Sequence, residues 1–131
     1  MLTIEIDWPD AALSPNGRAH HFARARAAKK AKNDAWGWTK ALMPKMGIAY
    51  GSWRGPVTVQ YTFLPMQDRG RDDDNFIARC KAARDGIALA LGIDDKAFVT
   101  LPVIWGDKRT GKVVVTLTPA TVILPVRGGI A

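Results

Sequence analysis

Hydrophobic and polar positions alternate along the chain with two different periods. Residues 2–8, Leu-Thr-Ile-Glu-Ile-Asp-Trp, put an apolar side chain at every second position. That period predicts a half-buried strand, and Pro9 ends it. Residues 10–17 contain Ser14-Pro15-Asn16-Gly17, which is turn chemistry. Over about 18–46 the two-residue period gives way to a sequence rich in Ala, Lys and Arg, which predicts a long helix. Gly37 is its weak interior point, and Pro44 and Gly47 mark its end. Residues 47–56 carry three glycines and a proline and predict a loop. Residues 57–64, β-branched and aromatic throughout, predict a second strand.

A polar connector over 65–71 leads into a predicted helix over 72–91. Ile77, Ala78, Lys81, Asp85, Ala88 and Leu89 share roughly one azimuth on it. Gly92 supplies the left-handed residue that closes such a helix. A strand is expected near 101–105 and another over 112–118, joined as a hairpin by the turn at 106–111. The tail, 119–131, holds two prolines and a Gly-Gly, and the sequence leaves its order open. The order is β-α-β-α-β-β. It predicts one α+β domain over 1–131, a small mixed β-sheet with helices packed on one face.

Composition adds limits to this picture. The 131 residues are 47% hydrophobic and 24% charged, as expected for a folded chain with a real core. The single cysteine, Cys80, allows no disulfide and no thiolate metal cluster within one chain, and predicts a small, partly buried residue. No stretch approaches the length of a membrane span, and residues 1–7 have neither the basic start nor the apolar block of a signal peptide. A cytoplasmic protein with no membrane partner is therefore expected.

Charge changes the picture more. The formal net charge is +7, yet eight of the twelve acidic residues lie between Asp68 and Asp107. Between Arg18 and Lys32 there are six Lys or Arg residues, two His and no acid. Arg18, Arg24, Arg26, Lys29, Lys30 and Lys32 thus predict a face that neutralises phosphates without reading sequence. His20 and His21 point about 100° apart on a helix and do not form a paired metal site. Trp36, Trp38 and Trp53 are expected in the core or at a dimer interface.

The acids fall into two groups, Asp72-Asp73-Asp74-Asn75 and Asp94-Asp95. Asp72 and Asp74 sit at a strand-to-helix junction where both carboxylates can address one point. Asp95 returns to that point only by starting the next strand alongside. Oxygen ligands of this kind suit Mg²⁺ or Mn²⁺, with substrate phosphate completing the shell, and such a metal activates water against a phosphodiester. Capping alone explains an acidic helix start, and a solvated turn explains Asp94-Asp95. Three consecutive Asp residues exceed what a cap needs, however. Arg69, Arg71, Arg79, Lys81 and Arg84 crowd the same segment, as expected where phosphate approaches.

Arg71-Asp72-Asp73-Asp74-Asn75, the helix with Lys81 and Asp85, and Gly92-Ile93-Asp94-Asp95-Lys96-Ala97-Phe98-Val99 together resemble the RusA-type Holliday-junction resolvases. The opening strand ending in Trp8-Pro9 and the turn with Asn16 and Arg18 fit as well, so the resemblance covers about residues 2–118. It implies a Mg²⁺-dependent endonuclease, with Mn²⁺ as an alternative, that cuts four-way junctions as a homodimer; the sequence does not separate that from a nuclease acting on other branched DNA. It implies a place in recombination and repair, often in prophages, and no organic cofactor. Carried over, Asp72, Asp74 and Asp95 are the catalytic metal ligands, with Asn75 and Asp94 in support. The family's functional lysine stands three residues after the Asn, where this chain has Ala78; Lys81 takes the role, with Arg79 as the rival. Arg69, Arg71 and Arg79 join the expected DNA contacts. The reading from another class is a noncatalytic basic DNA-binding module whose acids only cap a helix.

Overall fold

The computed structural model describes residues 1–15, 17, 20–67 and 72–123. Its strands are β1 (Leu2–Asp7), β2 (Trp53–Leu64), β3 (Phe98–Thr100), β4 (Ile104–Trp105) and β5 (Lys112–Val122). Its helices are α1 (His21–Leu42), α2 (Asp73–Arg79) and α3 (Lys81–Leu91). The strands form one mixed sheet in the order β1-β5-β2-β3, with β4 also paired to β2. The architecture is the expected single-domain α+β fold.

Alternation decides which face of the sheet is buried. Leu2, Ile4 and Ile6 of β1, Val57, Val59, Tyr61 and Phe63 of β2, and Val113, Val115 and Leu117 of β5 all point into the core. The helices cover that face with Ala35 of α1, Met43 just after it, and Ala83, Ile87, Ala90 and Leu91 of α3. Thr39 is the buried polar residue of α1, and its hydroxyl donates to the Ala35 carbonyl at 2.7 Å. At Gly86 α3 meets α1 at backbone distance: a Cβ there would stand 2.2 Å from the Lys32 carbonyl oxygen.

Four expectations are corrected. The helix over 72–91 is two helices. Cys80 closes α2 at φ −86, ψ −1, with its N–H shared between the carbonyls of Phe76 and Ile77, and Lys81 starts α3. The 101–105 and 112–118 strands are not a hairpin. β4 runs parallel to β2 on one side while β5 runs antiparallel to it on the other, so β2 separates them. β2 begins at Trp53, inside the expected loop, because a register shift between Arg54 and Val57 accommodates Gly55 at φ +72. β5 continues to Val122, inside the expected tail. Pro119 is tolerated there because β1 reaches only as far as Leu117, leaving one edge of β5 unpaired.

Cys80 is fully buried, and burial pushes its thiol up to about 12 against the pull of Arg79 and Arg84. Trp53 belongs to the core, Trp38 packs against it, and Trp36 is exposed. No helix of the described residues is long and apolar enough to cross a membrane.

Candidate active site

The acidic helix start is built at the carboxyl end of β2. Asp72 is in extended conformation and caps α2, its Oδ1 accepting from the Asn75 N–H at 3.2 Å. Asp73 and Asp74 fill the first turn, where carboxylates also complement the helix dipole. All three are exposed. Asp73 accepts a hydrogen bond from Trp105 Nε1 at 2.7 Å, which ties it to the end of β4. The side chain of Asn75 accepts from the Ser14 hydroxyl at 2.6 Å. Ser14 in turn belongs to the turn after β1, whose Ser14 and Gly17 carbonyls accept from Arg24 of α1 at 3.4 and 3.1 Å. Asn75 thus joins the start of α2 to the turn that leads into the basic helix. Sequence reasoning missed Ser14 and Trp105 as positioning residues. The turn motif was legible, but its partner lies 61 residues away.

The second acidic group stands elsewhere. Asp94 caps the short turn Asp95–Ala97 and accepts from the Lys96 N–H at 2.9 Å. That bond, with a side-chain bond to Asp95, holds the Asp94 carboxyl below its ordinary range. Asp95 is half-buried in a shallow groove with Asp94, Asp85, Leu89 and, from α1, Lys32. The turn that Asp95 begins leads into the next strand, β3, alongside β2, but that strand is parallel. Phe98 pairs with Val57 near the beginning of β2, whereas Trp105, which holds Asp73, pairs with Phe63 near its end. The β2 positions paired with Phe98 and Trp105 are six residues apart, roughly 20 Å at the usual rise. Among the described residues no three His, Cys, Asp or Glu side chains are grouped to hold a metal ion. Among the described residues of one chain, Asp72, Asp74 and Asp95 are thus not grouped around one point.

The basic residues divide between structure and surface. Arg79 is half-buried: it donates to the Pro9 carbonyl, and its guanidinium lies 4.7 Å from the centre of the Phe76 ring. Burial lowers its pKa from the ordinary value. Arg24 is likewise turned inward to the carbonyls named above. Lys81 is 63% exposed, with Nζ 3.3 Å from Asp85. On α1, Arg26, Lys29, Lys30 and Lys32 are exposed, and Lys30 pairs with Asp34 at 2.5 Å. The predicted contacts Arg18, Arg69 and Arg71 lie outside the described residues. His20 caps α1, its ring Nδ1 accepting from the Phe22 N–H at 3.2 Å.

No family model matches the chain. It is 38% identical over 128 residues to an uncharacterized protein of Xylella fastidiosa, covering 92% of this chain and 78% of that one.

Proposed function

We propose that this chain, which belongs to the same family as that Xylella fastidiosa protein, is a Mg²⁺-dependent, structure-selective endodeoxyribonuclease. Its substrate is branched DNA, with four-way junctions of recombination and repair foremost. The observation behind this is the pattern from Asp72 to Asp95: carboxylates kept at or near the surface at both ends of one helical unit, in a protein of net charge +7. Caps and pairs account for Asp72, Asp73, Asp85 and Asp94, and a stability role leaves Asp74 and Asp95 without a task. The exposed cations of α1 supply the phosphate-neutralising face, and Lys32 carries that face into the groove beside Asp95. The metal, when bound, supplies Lewis acidity and a nucleophilic water. The chain's part is to present carboxylates to it, to hold the DNA by its phosphates, and to keep Lys81 available as a point charge for the scissile phosphate.

A second reading has support of its own. Asp72 is used as a cap and Asp73 by Trp105, which suits a noncatalytic DNA-binding module. The two are separated by Asp74→Asn and Asp95→Asn, neither of which removes a cap. Each variant should bind branched DNA as tightly as the wild type or more so, because a negative charge near phosphate is gone. Each should lose Mg²⁺-dependent cleavage by at least about 10²-fold. Cleavage near the wild-type rate in both variants would remove these acids from the chemistry.

A further inference from the structure

Trp36 is a large aromatic residue that the core does not take. α1 buries Ala35 and Thr39 on its inner side, and Trp36, the next residue after Ala35, is 42% exposed. Its backbone is fixed nevertheless. It lies where α1 and α3 cross, and a Cβ on Gly86 would stand 3.1 Å from the Trp36 nitrogen. A second exposed ring stands close by. Tyr50 is 67% exposed, and Lys40 Nζ lies 4.8 Å from its centre and 6.0 Å from the centre of the Trp36 ring. The end of α3 holds Tyr50 in place. The Gly51 N–H donates to the Leu91 carbonyl at 2.9 Å, and the Tyr50 ring lies so near Gly92 that a Cβ there would come within 2.7 Å of it. Both rings are thus placed by the fold and left open to solvent, and nothing in the chemistry proposed above uses them.

Their surroundings are cationic. Lys32, Trp36 and Lys40 follow one another at four-residue steps and form one row along α1. Lys29, also exposed, extends the row by three residues. Asp34, the acid of α1, lies off the row and pairs with Lys30. From Lys32 to Lys40 the helix rises about 12 Å, with the Trp36 ring midway. Lysines alternating with ring faces suit an unpaired strand, which offers both phosphates and bases to stack. A continuous duplex offers its phosphates but keeps its bases stacked inside.

We infer that Trp36 and Tyr50, with Lys32 and Lys40 beside them, form a binding track for single-stranded DNA, the rings stacking unpaired bases and the lysines holding the phosphates between them. This rests on the DNA substrate proposed above, and not on cleavage. A surface cation–π contact is weaker than base stacking on the same ring, so an incoming base takes the place of Lys40 and frees its ammonium for phosphate. At its Lys32 end the track opens onto the groove with Leu89 and Asp95, so a strand unpaired at a branch would run from that groove along α1. A second copy of the chain suits the patch less well. A two-fold contact sets the same surface against itself, and the lysines of the row would meet their own kind.

Binding to a short labelled oligothymidine and to a blunt linear duplex, compared by fluorescence anisotropy at one salt concentration, tests the track. Trp36→Ala and Tyr50→Leu should each bind the oligothymidine at least about fivefold more weakly than wild type, with duplex affinity changed by less than about twofold. Trp36→Phe keeps a ring face and should recover most of the loss. Oligothymidine should also quench the tryptophan fluorescence of wild type, and quench it less in Trp36→Ala. Wild-type affinity for oligothymidine in Trp36→Ala overturns the track. So does an equal loss for oligothymidine and duplex, which together with a shift to a smaller species in sedimentation assigns the patch to a second copy. Wild type that binds duplex and four-way junction but not oligothymidine overturns the track alone, whereas wild type that binds none of the three overturns the DNA substrate itself.

Discussion

Arg79 and Lys81 are two residues apart, and the fold uses them differently. The guanidinium of Arg79 is committed to the Pro9 carbonyl and the Phe76 ring, so it fastens α2 to the end of β1. Lys81 reaches only Asp85 at the surface. Arg79→Ala should accordingly cost stability, about 1.5–3 kcal/mol for a lost hydrogen bond to a charged group, read from the urea midpoint. Lys81→Ala removes an exposed i,i+4 pair and should cost no more than a few tenths of a kcal/mol. If Lys81 serves the chemical step, its loss slows single-turnover cleavage by on the order of 10²-fold. A change below about threefold would leave it a surface pair. Cys80, between them, gives a prediction in pH. Its thiol has an ordinary value of 9.0 and in the folded protein is pushed up to about 12 by burial. Between these values unfolding releases a proton, so stability is fully present below about pH 9 and is lost as pH rises toward 12. Burial of the Tyr61 hydroxyl acts in the same direction. The urea midpoint should fall steadily above pH 9, and Cys80→Ala should make that fall shallower; an unchanged slope would mean the thiol is not held neutral.

At the scale of elements, two helical glycines make opposite predictions. Gly86 lets α3 approach α1, and a Cβ there meets the Lys32 carbonyl oxygen at 2.2 Å and the Trp36 nitrogen at 3.1 Å. Gly86→Ala should destabilise by about 1–3 kcal/mol, because backbone cannot move aside, and this outweighs the roughly 1 kcal/mol gain in helix propensity. Gly37 in α1 has nothing within 4 Å of such a Cβ. Gly37→Ala should therefore stabilise by about 0.5–1 kcal/mol in the same urea titration. These opposite signs mark what local sequence can and cannot reveal. The period of residues 2–8, the glycine that closes α3 and the strand over 57–64 are local properties and were legible. Gly37 and Gly86 look alike in sequence because only the tertiary crossing separates them. The parallel placement of β4 and the split at Cys80 are nonlocal for the same reason. The acidic groups were legible as chemistry, but their separation depends on strand direction, which composition and spacing do not encode.

Over the whole molecule, the exposed cations of α1 lie on the helix that covers one side of the sheet, and both acidic groups lie on the unit packed beside it. On the proposed function, Arg26, Lys29 and Lys30, all exposed, replace counterions on the phosphates, so affinity for branched DNA should fall steeply with salt. Replacing all three by Ala should lower the slope of log affinity against log salt by up to about 0.9 per residue. An unchanged slope would assign this face to solvent or to a protein contact. The central claim, a metal-dependent nuclease that recognises branching, is tested most directly by one comparison. Wild-type protein is incubated in Mg²⁺ with a synthetic four-way junction and with linear duplex of the same arm sequence, each with a chelator control. The account predicts cleavage of the junction near its branch point, no comparable cleavage of the duplex, and none of either with chelator. Tight binding of the junction without cleavage in Mg²⁺ or Mn²⁺, or equal cutting of the linear duplex, would contradict it.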